Sequence, residues 1–113
     1  MGNDSWSKTE KQAARRAFDL AYRRECEAIS GEVRRQAAAI IGPDDLWGLH
    51  NFLTQQRKET DEKYDYRYSQ LEIVFARLVV DGWLQLDELA GLAKEKLNRI
   101  GAIVGWAAER DEG

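Results

Sequence analysis

Residues 44–80, DDLWGLHNFLTQQRKETDEKYDYRYSQLEIVFARLVV, decide how the chain folds, because they read as one long helix that changes character twice. Gly42-Pro43 supplies the start, since proline enters the first helical turn with its φ already set. Asp44 and Asp45 place negative charge at the positive end of the helix dipole, and Asp81-Gly82 is the stop signal. Leu46, Leu49 and Leu53 make a first apolar stripe, and Tyr64, Leu71, Val74, Phe75 and Leu78 make a second at the same helical spacings. Between them, Thr54 to Lys63 is polar throughout, with Arg57 one turn from Asp61 and Glu59 one turn from Lys63, so that each pair can support the helix. The expectation is a continuous helix bridging two apolar clusters.

Composition bounds what surrounds this helix. The chain of 113 residues, 43% hydrophobic, is one domain's worth with a modest core. A net charge of -3 argues against nucleic acid as the main partner. The run Ala102 to Ala108 is far shorter than the roughly 20 residues of a membrane span, and no basic start with an apolar block announces secretion. A single cysteine, Cys26, rules out an internal disulfide and suits the reducing cytosol, so the reading is cytoplasmic.

Upstream, residues 1–5 read as a disordered tail, and Ser5 or Ser7 can cap a first helix over 6–41. Its stripe runs through Phe18, Tyr22, Cys26, Ile29, Val33, Ala37 and Ile40, while Gly31 leaves open a break between Ser30 and Glu32. Three arginine pairs, Arg15-Arg16, Arg23-Arg24 and Arg34-Arg35, lie on it among acidic residues. Residues 1–42 carry eight basic and six acidic side chains, a balance of +2, so the rest carries -5. Mixed charge of this kind reads first as a solvated, ion-paired face and second as an anion patch. Downstream, Leu86, Leu89, Ala93, Leu97, Ile100 and Val104 predict a third amphipathic helix within a C-terminal helical region, 84–108, flanked by packed Trp83 and Trp106, with a tail from Glu109 too charged to pack. Gly101 and Gly105 have the spacing of a close helix contact, or mark a late break.

The fold class is therefore all-α: a single domain, 1–113, made of an elongated antiparallel hairpin of the first helix and the long helix 43–80, with a smaller C-terminal helical head. Helices of about 30 and 37 residues would be about 45 and 55 Å long. A compact domain of this size has a radius of gyration near 13 Å, roughly speaking. Such a hairpin is completed most simply by a second chain in a four-helix homodimer, with Leu46, Leu49, Leu53, Ile29 and Val33 in the seam.

Metalloprotease, CxxC, phosphate-loop and nucleophile-elbow motifs are absent, and His50 is the only histidine, so neither catalysis nor a metal site nor a cofactor is expected. Cys26 reads as a buried structural thiol rather than a nucleophile. An enzyme acting through Arg57 on an anionic substrate would need convergent polar groups in a pocket. At 100° per residue Arg57 falls about 20° from His50 and Trp47 about 60° from it. A tryptophan, a histidine and an arginine thus border an apolar stripe, which is the composition of an interface hot spot, or of a packed edge of the dimer seam.

The run DDLWGLHNFL from Asp44 to Leu53, then Arg57, KYDYR from Lys63 to Arg67 and VFARL from Val74 to Leu78 resembles the fluorescence recovery protein family of cyanobacteria. The likeness continues more loosely through DELAGLA, Asp87 to Ala93, and covers roughly residues 44–103. It implies an all-helical, non-enzymatic homodimer that binds the photoactivated orange carotenoid protein through that protein's C-terminal domain. By this resemblance it would speed the return of that partner to its orange resting form and end photoprotective quenching at the phycobilisome. A cytoplasmic place, peripheral to the cytoplasmic face of thylakoids, goes with this. The family's partner-binding patch maps onto Trp47, His50 and Arg57, and onto Asn51, where the family usually has aspartate. Asparagine keeps a hydrogen bond and loses charge assistance, about a factor of two in bond strength. Gly48 also stands where a bulkier residue is usual. The alternative reading is a helical dimer of the same scaffold that binds a different protein partner.

Overall fold

A computed structural model describes residues 5–112. These form α1 (Lys8–Ala38), α2 (Pro43–Lys63), α3 (Leu71–Val80), a single 3-10 turn (Leu86–Leu89) and α4 (Lys94–Glu112), with no strand among the described residues. The molecule extends 57 × 36 × 23 Å with a radius of gyration of 17.1 Å, well above that of a compact domain of its size.

Helix α1 starts at Ser7, whose hydroxyl accepts from the Glu10 amide while the Glu10 carboxylate accepts from the Ser7 amide, a reciprocal capping box. It runs 31 residues, about 46 Å, straight through Gly31. Trp6 precedes the helix and Ala38 ends it, so the expected span of 6–41 is trimmed at both ends. Most of the expected tail, 1–5, lies outside the described residues; Ser5 itself accepts a hydrogen bond from Lys96 at 3.2 Å.

The long helix expected over 43–80 is interrupted. Helix α2 stops at Lys63, residues 64–67 are irregular, a turn follows, and α3 begins at Leu71. Tyr64, Tyr66 and Tyr68 alternate along this connection, a spacing of two that helix geometry would scatter around the axis but an open chain can present to one side. They do so against α1 and the residues just before it: Tyr64 and Tyr66 meet Phe18 edge-on at 5.3 and 4.8 Å, and Tyr68 meets Trp6 at 5.3 Å. Arg15 lies over the Tyr66 ring at 4.6 Å. The intervening Asp65 and Arg67 pair with each other at 2.6 Å.

Lys63 explains where the helix ends. Instead of pairing with Glu59, which accepts from Gln55, its ammonium reaches across to Glu25 of α1 at 2.8 Å. Both side chains are almost wholly buried, at 7% and 10% exposure. The Tyr64 hydroxyl donates to the other Glu25 oxygen at 2.8 Å, and burial together with that bond to Glu25 pushes its ionisation far up. A buried carboxylate is tolerable only when both oxygens are satisfied in this way.

The head core is built from Leu71, Val74, Phe75, Ala76 and Leu78 of α3, with Leu84, Leu89, Leu92 and Ile100. They pack on an alanine-rich face of α1, Ala13, Ala14, Ala17 and Ala21, with Phe18. After Val80 the chain turns at Gly82, whose φ of 91° suits glycine. The third helix does not run from Leu86. Gly91 lies so close to α1 that an added Cβ would come within 2.5 Å of the Ala13 Cβ. Next, the Glu10 carboxylate accepts the Ala93 amide at 2.8 Å and the Lys96 ammonium at 3.0 Å, anchoring the start of α4 to α1. Arg24 holds Glu88 through both oxygens, at 2.8 and 2.7 Å, and donates to the Trp83 carbonyl at 3.0 Å. Trp83 packs on the core as expected, but Trp106 is 58% exposed with Arg110 over its ring, and α4 continues to Glu112. Gly101 and Gly105 neither break α4 nor sit in a close contact.

Two outcomes follow from the buried charges. Lys63→Met, which leaves Glu25 uncompensated, should cost about 3–5 kcal/mol in denaturant unfolding, whereas Glu25→Leu with Lys63→Met should recover most of that loss. Burial alone would raise Glu10, but the Ser7 and Ala93 amides and Lys96 hold it at about 2, and Arg24 first, then the Gln85 amide, hold Glu88 at about 2. Both lie below the ordinary value of 4.5, so their stabilisation is complete above pH 4.5 and is lost as pH falls toward 2. Thermal midpoints should therefore drop across that window, and Glu10→Gln should flatten the drop while lowering the midpoint at pH 7.

Candidate functional site

Among the described residues, no position from Cys26 to Glu59 is fully buried, although this stretch makes up most of the α1–α2 hairpin. The hairpin is an arm projecting from the head. Its turn is fastened by Asp45, which accepts the Ile41 amide at 3.1 Å, and by the α1 C-cap at Ala39. Ile41 at the tip is 95% exposed, and along α2 Leu46, Trp47 and Leu53 are 46%, 60% and 42% exposed. Leu49, Ile29 and Val33 are half-buried. The five residues expected in a seam therefore lie on the arm with apolar surface unsatisfied within one chain, too little covered to be a core and too contiguous for isolated surface residues.

Trp47 and His50 come together one turn apart, ring centroids 6.1 Å apart and nearly perpendicular. The other two expected site residues each line a cleft of the arm. Arg57 borders a shallow cleft of about 280 Å³ with Tyr22, Cys26, Ile29, Leu53, Gln56 and Thr60. Its Nε donates to Asp61 at 3.0 Å, as the one-turn spacing predicted, and this bond pushes the guanidinium's ionisation up. Both partners of that pair are open to water, so it orients Arg57 more than it stabilises the fold. Cys26 is only half-buried here, where a buried thiol was expected.

Asn51 looks the other way, into a cleft of about 500 Å³ with Arg35, Gln36, Asp44, Asp45, Gly48 and Phe52. Arg35 is bound to Glu32, and that bond, with a second from Gln36, holds the Glu32 carboxyl at about 2. One flank of α2 thus carries Trp47 and His50, and the clefts that hold Arg57 and Asn51 open between the arm's two helices. The α1 residues Tyr22, Cys26, Arg35 and Gln36 are the contributors that reading α2 alone did not find. Their signal in the sequence is the four-residue spacing from Tyr22 to Cys26, which packing of α1 also explains.

Among the described residues no group of three or more histidine, cysteine, aspartate and glutamate side chains could hold a metal ion, and no helix is long and apolar enough to cross a membrane. What the arm offers is surface: a large exposed indole beside an imidazole, an arginine and exposed leucines.

Residues 6–104 match the family model described as photoprotection regulator fluorescence recovery protein. The chain is 44% identical over 98 residues to the fluorescence recovery protein of Synechocystis sp., covering 87% of this chain and 90% of that one. Its fold is similar to the solved structure of the fluorescence recovery protein of Fremyella diplosiphon, with 50% identity, a TM-score of 0.84 and coverage of 88% and 97% of the two chains. The Synechocystis sp. structure matches with 43% identity, the same TM-score of 0.84 and the same coverage of 88% and 97%.

If the arm's apolar surface is a seam between two chains, Leu49→Glu should convert the protein to a monomer in sedimentation equilibrium at micromolar concentration while the head keeps its helicity. An unchanged mass would place the seam elsewhere.

Proposed function

The chain belongs to the fluorescence recovery protein family of photoprotection regulators, and on that footing we propose that it binds the photoactivated orange carotenoid protein and accelerates its return to the resting orange form. It does so by binding, without turning over a substrate. Trp47 is the anchor: a large aromatic, 60% exposed and braced edge-on by His50, at the rim of exposed leucines. Arg57, oriented by Asp61 over a cleft of apolar and hydroxyl groups, supplies the charged contact beside it.

The observation that carries this reading is the incompleteness of the arm. Within one chain the head has a sealed core, whereas the arm has none, and its half-covered apolar side chains gain burial only from other chains. A second copy covers the seam of Leu46, Leu49, Leu53, Ile29 and Val33, and the partner protein's C-terminal domain meets the patch of Trp47, His50, Asn51 and Arg57. Asn51 in place of the family's usual aspartate leaves this patch able to hydrogen-bond while removing one negative charge.

Trp47→Ala or Arg57→Leu should leave far-ultraviolet circular dichroism nearly unchanged and slow the dark recovery of photoactivated orange carotenoid protein at least tenfold, since truncating a hot spot commonly costs about 2 kcal/mol or more of binding free energy. The reading fails if the unaltered protein neither binds that partner nor changes its recovery rate; a different protein partner for the same arm then takes its place.

A further inference from the structure

The arginine pairs of α1 are divided in a regular way. Arg15 pairs with Asp19 at 3.3 Å and lies over Tyr66, Arg24 holds Glu88, and Arg35 holds Glu32. The other member of each pair, Arg16, Arg23 or Arg34, is exposed and makes no ion pair, hydrogen bond or ring contact with any described residue. At 100° per residue Arg23 lies about 20° from Arg16, and Arg34 returns to the same line as Arg16. The three free guanidiniums thus form a ribbon, spaced about 10 and 16 Å along the helix axis. Ile29, which shares a cleft with Leu53 and Arg57 of α2, and Val33 lie about 100–140° around α1 from that ribbon, so it is separate from the arm's expected seam.

At its head end the ribbon borders a cleft of about 500 Å³ lined by Arg16, Ala17, Asp19, Leu20, Arg23 and Glu88. The two acidic lining residues are already engaged, Asp19 by Arg15 and Glu88 by Arg24. What remains for an occupant is two unengaged guanidiniums on either side of the half-buried Leu20. Guanidinium forks recognise carboxylates through paired hydrogen bonds. The apolar floor between them asks for an aliphatic side chain.

We propose that this ribbon docks an acidic helical segment of a partner protein, with carboxylates on Arg16, Arg23 and Arg34 and an aliphatic side chain on Leu20. A nucleic acid fits less well. The chain's net charge is -3, and Glu27 stands on the ribbon itself between Arg23 and Arg34, where a continuous phosphate backbone would meet it and a helix with spaced carboxylates would not.

The test uses the full chain and a fluorescein-labelled helical peptide carrying glutamates at positions i, i+7 and i+18 and a leucine at i+4, read by anisotropy. Binding should weaken clearly between about 20 and 200 mM salt, as screening of surface charge requires. Replacing Arg16, Arg23 and Arg34 together by glutamine should weaken it about threefold to a hundredfold while leaving the thermal midpoint unchanged, because none of the three has a partner among the described residues. Lys8→Gln, Lys58→Gln and Lys94→Gln together remove the same charge from exposed positions off the ribbon and should have little effect. The proposal is overturned if the lysine variant loses as much affinity as the arginine variant, if the glutamate peptide binds no better than its glutamine counterpart, or if a DNA duplex of similar length binds more tightly.

Discussion

The ammonium of Lys63 and the carboxylate of Glu25 meet at 2.8 Å where water scarcely reaches, and the rest of the architecture is arranged around that contact. An ion pair so desolvated holds only if its remaining hydrogen-bonding capacity is met, and here the Tyr64 hydroxyl meets it from the residue at which α2 ends. Keeping Lys63 helical while turning Tyr64 toward Glu25 requires the chain to leave the helix at that point, and Tyr64 adopts φ -90°, ψ 73°. The direction of α3, and with it the position of the head relative to the arm, follows from this departure.

A second buried carboxylate performs the complementary task at the other end of the head. Glu10 caps its own helix through Ser7 and reaches across to Ala93 and Lys96, joining the starts of α1 and α4. Between these two anchors α1 offers the core mostly alanine, so that Gly91 can come against Ala13 and the short segments of the head can pack closely. Specific polar contacts, rather than a large apolar volume, determine how these pieces are placed.

The arm has no comparable anchor beyond its turn. It is held by partial apolar contact between α1 and α2 and is extended by their length, which is a poor design for a self-sufficient domain and a suitable one for a surface completed by other chains. Division of labour within the arginine pairs points the same way: the members facing inward or along the helix are consumed by Asp19, Glu88 and Glu32, and their neighbours are left on one outward line.

Helical class, the hairpin turn at Gly42-Pro43, the stop at Asp81-Gly82 and the juxtaposition of Trp47 with His50 were legible in the sequence, because each depends on residues within a few positions of one another. Charge placement in first turns, apolar spacing of three and four, and one-turn pairs such as Arg57 with Asp61 are properties of a single helix, and they appear as read. The break at Lys63 was not legible from helical spacing, although the alternation of Tyr64, Tyr66 and Tyr68 was its trace. The apolar spacing from Tyr64 to Leu78 suits a continuing helix, while tyrosine and aspartate are only weak helix formers and leave the point of the break undecided. Only the folded chain brings Glu25 to Lys63, 38 residues away, and Glu10 to Lys96, 86 residues away, and contacts between such distant residues override local preference. The same applies to which arginine of each pair stays free: the sequence presents two identical side chains in succession, and only the tertiary neighbours, Glu88 above all, decide between them.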